Sequence, residues 1–170
     1  MRTRPWFPLL TAVVLTAGPF GRGSEAPAVR PVPRTTMVAG REALVLGFEV
    51  LASFPSDLPE AATPAVQIPA DIQRLSGRRA VITGFMVPLQ LEEGRARRFV
   101  LVRNQSSCCY GVAPALNEYV LVTMAGTGPR PVMDTPVRVT GVIQVGATYE
   151  EGMLVGVYQF AGESVDAATP

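Results

Sequence analysis

Two stretches of the chain share a pattern that commits them to antiparallel β-strands. In residues 79–103 and 137–160, an apolar run containing Thr-Gly is followed by Glu-Glu-Gly and a second apolar run. Gly-containing turns between runs rich in β-branched residues predict β-hairpins. The likeness could mark an internal repeat, but hairpins commonly reuse the same turn residues, and we favour that explanation.

Alternating apolar residues predict six strands and one short helix. The strands are predicted at Ala43–Leu51, Arg79–Val87, Arg97–Arg103, Tyr119–Met124, Val137–Val145 and Met153–Phe160. Pro69–Gly77 predicts one or two helical turns, since Pro suits the start of a helix and Gly77 a left-handed stop. Pro88 is expected to end the second strand, because it has no N–H to donate.

These elements predict an all-β fold with one short helix. The 16 Gly and 16 Pro residues favour turns over long helices. Six strands joined largely by hairpins fit a small OB-like barrel, partly open and five- or six-stranded. We expect a single domain over residues 43–164, preceded by a flexible linker at 25–42 and followed by a polar tail at 165–170.

The first 24 residues have the pattern of a secretory signal. Arg2 and Arg4 precede an uncharged run that ends at Gly21, and Leu15-Thr16-Ala17 suits a cleavage site. The run contains three Pro residues and is shorter than the ~20 residues that span a bilayer, which disfavours the alternative of an uncleaved membrane anchor. The mature protein is therefore expected in the periplasm or outside the cell, without a membrane span.

The absence of His and Lys excludes several chemistries. All 15 cationic side chains are Arg, and the formal net charge is +1. Without His the chain has no Ser-His-Asp or Cys-His arrangement, and without Lys it has no Schiff base or P-loop lysine. The near-zero net charge gives no general attraction to nucleic acid. We therefore expect no catalytic residue, no cofactor and no nucleic-acid partner.

The loop Arg103–Gly111 holds both cysteines of the chain, Cys108 and Cys109. They could be a buried structural pair, or a strained disulfide between neighbours that is easily reduced, since adjacent Cα atoms lie only ~3.8 Å apart. They could also bind a soft metal, or link two copies of the chain, because two thiolates supply half of a tetrahedral zinc site.

Extending the register of the first hairpin places Arg78 and Arg79 opposite Cys108 and Cys109. Nearby Arg would lower a thiol pKa and favour a redox role. The remaining cations of this region, Arg95, Arg97 and Arg98, are expected on a solvated strand face balanced by the Glu residues of the turn.

The order of several motifs resembles a known family. They are Gly84-Phe85-Met86-Val87-Pro88-Leu89, Leu101-Val102 with the loop Arg103–Gly111, Asn117-Glu118-Tyr119-Val120, Pro131-Val132-Met133-Asp134 and Val139-Thr140-Gly141. Over residues 68–163 the chain resembles exported bacterial proteins grouped as domain of unknown function thirty-two ninety-nine. The resemblance implies an OB-like barrel outside the cytoplasm and no particular activity. Many relatives carry Cys-x-His followed by a proline run where this chain has Cys108-Cys109-Tyr110-Gly111, and the loss of that His weakens a metal role.

The sequence therefore predicts an exported, non-enzymatic binding or envelope-assembly module. Its partner would be an envelope or periplasmic protein, with a homodimer through the thiols as a further possibility. The alternative function is thiol redox or zinc or copper handling by Cys108 and Cys109. The candidate functional residues are Arg103, Asn104, Gln105, Cys108, Cys109, Tyr110, Asn117 and Glu118.

Overall fold

The structure is a computed structural model that describes residues 31–55, 67–105 and 114–168. The predicted signal, 1–24, lies outside the described residues. The described chain forms seven strands and two helices of one turn each. They are β1 (Arg34–Val38), β2 (Arg41–Leu46), α1 (Phe48–Leu51), α2 (Ala70–Gln73), β3 (Arg79–Glu92), β4 (Arg95–Val102), β5 (Tyr119–Met124), β6 (Val137–Glu150) and β7 (Met153–Ala167).

Three hairpins have two-residue turns of the same form. The turn residues Ala39-Gly40, Glu93-Gly94 and Glu151-Gly152 all have positive φ, between 50° and 81°. Two successive residues with positive φ match the right-handed twist of the flanking strands, and Gly adopts this conformation without steric cost. The two hairpins predicted from Glu-Glu-Gly are confirmed, and β1 and β2 form a third.

Five of the strands form a partial ring. The sheet order is β1-β2-β3-β4-β5-β7-β6, and β3 also pairs with β6. The first half of β3, up to Gly84, pairs with β6, whereas the second half, from Phe85, pairs with β4. No residue of β3 therefore pairs with both β4 and β6, its two neighbours in the ring. The result is the predicted OB-like, partly open barrel and not a closed one.

The apolar core fills the inside of this ring. Alternate residues of the strands point inward, as Val120, Val122 and Met124 do on β5. The two helices add to the same core, with Ile72 of α2 and the apolar side of α1 among its members. The side chains at the alternate positions face outward, and those of β4, β5, β6 and β7 line the candidate site.

The predicted strand Ala43–Leu51 is only half right. β2 ends at Leu46, and Phe48–Leu51 forms the helical turn α1. Phe48, Val50 and Leu51 are all buried, which a strand with alternating faces would not allow. The predicted linker at 25–42 is also corrected, because its described part includes β1, which pairs with β2 in the hairpin.

Two predicted boundaries are wrong at the ends of strands. Pro88 does not end β3; it pairs with Phe99, and the register shifts between Pro88 and Gln90. An irregularity of this kind accommodates the missing N–H of proline. In the described part of the predicted tail, residues 165–167 form the end of β7, where Ala167 pairs with Val137.

Candidate functional site

The predicted loop is described only in part. Cys108, Cys109 and Tyr110 lie outside the described residues, so the thiol alternative stays a prediction. Arg103 and Asn104, at the end of β4, line a small pocket of about 120 Å³ together with Glu118. Its apolar wall is formed by Phe48 of α1 and by Ala52. The structure therefore brings together three of the predicted residues.

The other described residues of the loop have structural contacts. Asn117 is 3% exposed, and its Nδ2 donates a hydrogen bond of 2.5 Å to the carbonyl oxygen of Phe54. The Glu118 carboxylate accepts from the backbone N–H of Ala115 at 3.0 Å and so closes a turn. Gln105 donates from Nε2 to the carbonyl oxygen of Met133. These bonds hold the described ends of the loop between β4 and β5 in place.

The predicted placement of Arg78 and Arg79 opposite Cys108 and Cys109 stays a prediction, because the cysteines lie outside the described residues, but the strand register from which it was extended does not continue. β4 ends at Val102, and both edges of β3 beyond that point are occupied, since Val81 pairs with Val45 of β2 and with Thr140 of β6. Arg79 instead forms an ion pair of 2.8 Å with Glu163. The register could not be extended because β3 changes partners along its length.

A larger pocket lies on the outer face of the ring. It has a volume of about 340 Å³, and we call it the outer groove. Its floor is formed by Leu121 and Thr123 of β5 and by Gln159 of β7. Leu121 pairs directly with Gln159, because β5 and β7 run parallel as neighbours. Strands distant in sequence thus supply adjacent side chains.

The far end of the β6–β7 hairpin forms one wall of the outer groove. β6 has register shifts between Val145 and Thr148 and between Thr148 and Tyr149. Such irregularities bend a hairpin. Glu150 then forms an ion pair with Arg98 of β4, and Thr148 accepts a hydrogen bond of 2.7 Å from Gln159 Nε2. These two contacts hold the wall in place.

The other cations of β4 bind backbone atoms. Arg95 donates to the carbonyl oxygen of Gly128 at 3.0 Å, and Arg97 donates to that of Gly126. Arg97 also lies 3.9 Å from the carboxylate of Glu92. These side chains tie the β3–β4 hairpin to the loop after β5, so the predicted solvated face is also a structural one.

Two phenols, one buried and one half-buried, have raised pKa values and structural roles. Burial, and secondarily the charge of Asp71, raises the pKa of Tyr158, whose hydroxyl donates to the carbonyl oxygen of Leu51 at 2.8 Å. Burial also raises the pKa of Tyr119, which donates to the carbonyl oxygen of Val155 at 2.8 Å. Both phenols therefore stay protonated as donors at neutral pH.

Within residues 31–55, 67–105 and 114–168, no three Cys, Asp or Glu side chains converge as metal ligands. In the same ranges, neither helix has the length and apolar character needed to cross a bilayer.

Sequence reasoning missed the outer groove. Its polar residues lie on four strands, and only Arg98 had been singled out, as a solvated charge. Thr123, Gln144 and Gln159 interrupt otherwise apolar strand patterns, which was an available signal for an outward polar face. Their adjacency could not be predicted, because it depends on the pairing of β5 with β7.

Comparisons with known proteins found a matching family model and a solved structure of similar fold. The family model described as "Protein of unknown function (DUF3299)" matches residues 52–167. A crystal structure of a DUF3299 family protein from Pseudomonas aeruginosa has a similar fold, with a TM-score of 0.55 and 20% sequence identity. The similarity covers 75% of this chain and 97% of that chain. The comparison with curated proteins found no match.

Proposed function

This chain belongs to the DUF3299 family of proteins of unknown function, and we propose that it is an exported, non-enzymatic module that binds a ligand in its outer groove. Family membership confirms the resemblance inferred from the motifs and, by itself, assigns no ligand. The proposal therefore depends on the groove.

The position of the outer groove within the ring is the observation that carries the proposal. OB-fold proteins bind ligands on the face of the second and third strands, beside the loops after the first and fourth strands. In the ring of this chain, β4 and β5 are the second and third strands, and the β6–β7 turn follows the fourth. Arg98, Thr123 and Glu150 lie at these places.

The residues of the groove suit binding better than catalysis. Arg98 and Glu150 are paired with each other, and the other polar residues are Thr and Gln side chains. Neither type is an ordinary general base or nucleophile without an activating partner. The chain supplies no His or Lys for that purpose. Export is supported separately by the pattern of residues 1–24.

A binding screen by nuclear magnetic resonance tests the proposal. Isotope-labelled residues 25–170 would be titrated with panels of oligosaccharides, peptides and oligonucleotides. We expect at least one class to shift the amide signals of Leu121–Thr123 and Gln159–Ala161 in a saturable way. Gln159→Ala should weaken that binding, whereas Thr36→Ala on exposed β1 should leave it unchanged. Shifts that map elsewhere for every ligand, or turnover of a bound ligand, would contradict the proposal.

Export is tested on the full chain in its native host. Cell fractionation followed by N-terminal sequencing should find the protein in the envelope or medium, starting shortly after the Leu15-Thr16-Ala17 site. A cytoplasmic protein that retains residues 1–24 would contradict export without affecting the binding result.

A further inference from the structure

Three groups in the outer groove have unused hydrogen-bonding capacity. Gln159 donates from Nε2 to Thr148, and Gln144 accepts through Oε1 from Ser76 at 3.0 Å. Within the described chain, the side-chain oxygen Oε1 of Gln159, the side-chain nitrogen Nε2 of Gln144 and the hydroxyl of Thr123 have no protein partner. The groove therefore offers an acceptor, a donor and a group that can act as either.

These groups are spaced on the scale of a small polar ring. Gln144 and Gln159 pair directly across β6 and β7, so their Cα atoms are about 5 Å apart. On the neighbouring strand β5, Leu121 is the residue paired with Gln159. Thr123 lies two residues beyond Leu121, a distance of about 7 Å along the strand. The hydrogen bonds to Thr148 and Ser76 also restrict the orientation of the Gln159 and Gln144 side-chain amides.

The groove has no net charge. Its charged residues are Arg98 and Glu150, which form an ion pair with each other. A site for phosphate or nucleic acid needs unpaired cations, because these ligands carry charge at every unit. A neutral ligand avoids separating the pair and meets only the Thr and Gln groups.

The floor of the groove offers no free strand edge. Gln159 pairs on one side with Leu121 and on the other with Gln144, and Thr123 pairs with both Arg98 and Ala161. A peptide that binds by adding a strand needs an unpaired backbone edge. Recognition here must use side chains.

Tyr149 adds an aromatic surface at the rim. Its side chain is 60% exposed and borders the groove. An exposed aromatic ring beside groups that both donate and accept hydrogen bonds suits a ligand with hydroxyl groups at its edges and C–H groups on its face. We infer that the outer groove binds a neutral saccharide chain, an inference that rests on the proposed function.

Three tetrasaccharides of different charge test this inference. The probes are β-1,4-linked glucose, β-1,4-linked N-acetylglucosamine and α-1,4-linked galacturonic acid, titrated into residues 25–170 and followed by the amide signals of the groove. We expect saturable binding of one or both neutral probes and roughly tenfold weaker binding of the anionic probe, since the groove offers its carboxylates no unpaired cation to offset the cost of removing them from water. Raising NaCl from 50 to 500 mM should change neutral binding by less than about twofold.

A single charge change provides the sharpest variant. Glu150→Gln leaves Arg98 without its partner, so binding of the galacturonic acid probe should strengthen by about fivefold. Binding of the neutral probes should not strengthen, because these probes carry no charge that the released Arg98 could attract. Glu92→Gln, at the equivalent place in the other hairpin, is the matched control and should leave the affinities for all three probes unchanged.

Two further variants test the contacts with a neutral probe. Gln159→Leu keeps the size of the side chain and should weaken binding by about tenfold. Tyr149→Ala should weaken it by about fivefold, whereas Tyr149→Phe should keep it. All these positions are on the surface, and circular dichroism would verify that each variant is folded.

The outcomes separate the two proposals. Tighter binding of the anionic probe, or a tenfold loss of neutral binding with salt, would overturn the saccharide inference. If no saccharide shifts the groove signals but a peptide or oligonucleotide does, the saccharide inference falls and the binding module stands. If no ligand of any class shifts these signals, both are overturned.

Discussion

The two Glu-Glu-Gly hairpins are alike in sequence and different in their surroundings. Both turns have the same backbone conformation, with positive φ at Glu93-Gly94 and at Glu151-Gly152. The Thr-Gly pairs differ, however, because Thr83 is exposed and Thr140 is 1% exposed. The ion pair of Glu150 with Arg98 joins the two hairpins, because Arg98 lies on β4 of the first one.

This difference separates local from tertiary effects. The turn residues act within a few positions of themselves, so both hairpins form by the same chemistry. The neighbours of each strand decide which face is buried, and β6 packs against both β3 and β7. Changes in the turns should therefore affect both hairpins equally, whereas changes at Thr-Gly should distinguish them.

The largest effect is expected from adding a methyl group at the Gly of each Thr-Gly pair. A Cβ at Gly141 would lie 2.1 Å from the carbonyl oxygen of Ala161, and one at Gly84 would lie 2.6 Å from that of Val102. Because backbone atoms must move, Gly141→Ala should lower the free energy of unfolding by about 3 kcal/mol and Gly84→Ala by about 2 kcal/mol. Urea denaturation measures both.

Gly146→Ala is the control for this pair. A Cβ at Gly146 meets no atom within 4 Å, so the free energy of unfolding should change by less than about 0.5 kcal/mol. A loss below about 1 kcal/mol in Gly141→Ala would contradict the close approach of β6 and β7.

The next effect concerns Tyr158, which anchors the second hairpin to α1. Tyr158→Phe should lower the free energy of unfolding at pH 7 by about 2 kcal/mol, because it leaves the buried carbonyl oxygen of Leu51 without its donor. Tyr149→Phe, at the exposed end of the same hairpin, should change it by less than about 0.5 kcal/mol. Equal effects of the two substitutions would refute the anchoring role.

The raised pKa of Tyr158 adds a pH dependence. The unfolded chain releases the phenolic proton near pH 10, whereas the folded chain keeps it to higher pH. The unfolded state then binds fewer protons, so the free energy of unfolding falls as the pH rises above about 10. Tyr158→Phe lacks this contribution, and its deficit relative to the parent should narrow between pH 10 and pH 12. A constant deficit in urea denaturation over that range would argue against it.

The turns should respond alike in both hairpins. Gly94 and Gly152 have φ values of 75° and 81°, which Ala adopts only with strain. Gly94→Ala and Gly152→Ala should each lower the free energy of unfolding by about 1.5 kcal/mol. Gly126→Ala, in open space without a positive φ, is the control. A difference above about 1 kcal/mol between the two turn variants would show that tertiary contacts influence the turns.

The smallest effect is a gain in stability at the buried hydroxyl. Thr140 Oγ1 has no hydrogen-bond partner among the described residues. Thr140→Val keeps the shape and removes the unsatisfied hydroxyl, so the free energy of unfolding should rise by about 1 kcal/mol. Thr83→Val, at the exposed counterpart, should change it by less than about 0.5 kcal/mol. A loss in Thr140→Val would mean that the hydroxyl is satisfied.

Predictions from sequence succeeded where local residues decide. β5 has the predicted bounds Tyr119–Met124, and Gly77 has the predicted left-handed conformation after α2. They failed where a partner strand decides, as at Pro88, which a register shift accommodates, and at Phe48–Leu51, which turns helical to bury successive apolar residues.

The candidate site shows the same limit. The motif residues Asn117 and Glu118 were proposed as functional, and their described contacts hold the chain before β5. The groove residues Thr123 and Gln159 carried only the weak signal of polar positions in apolar strands. Pairing between sequence-distant strands placed them side by side, and no local pattern encodes that pairing.

By itself, the sequence determined the two Glu-Glu-Gly hairpins, the all-β class, the family and the exclusion of His and Lys chemistry. These follow from turn conformations, side-chain alternation, motif order and composition, which act locally or require no structure. Only the tertiary structure decided that β3 divides its pairing between β6 and β4, and that β5 lies beside β7. The outer groove exists because of that strand order, since hydrogen bonds between distant strands bring its side chains onto one face.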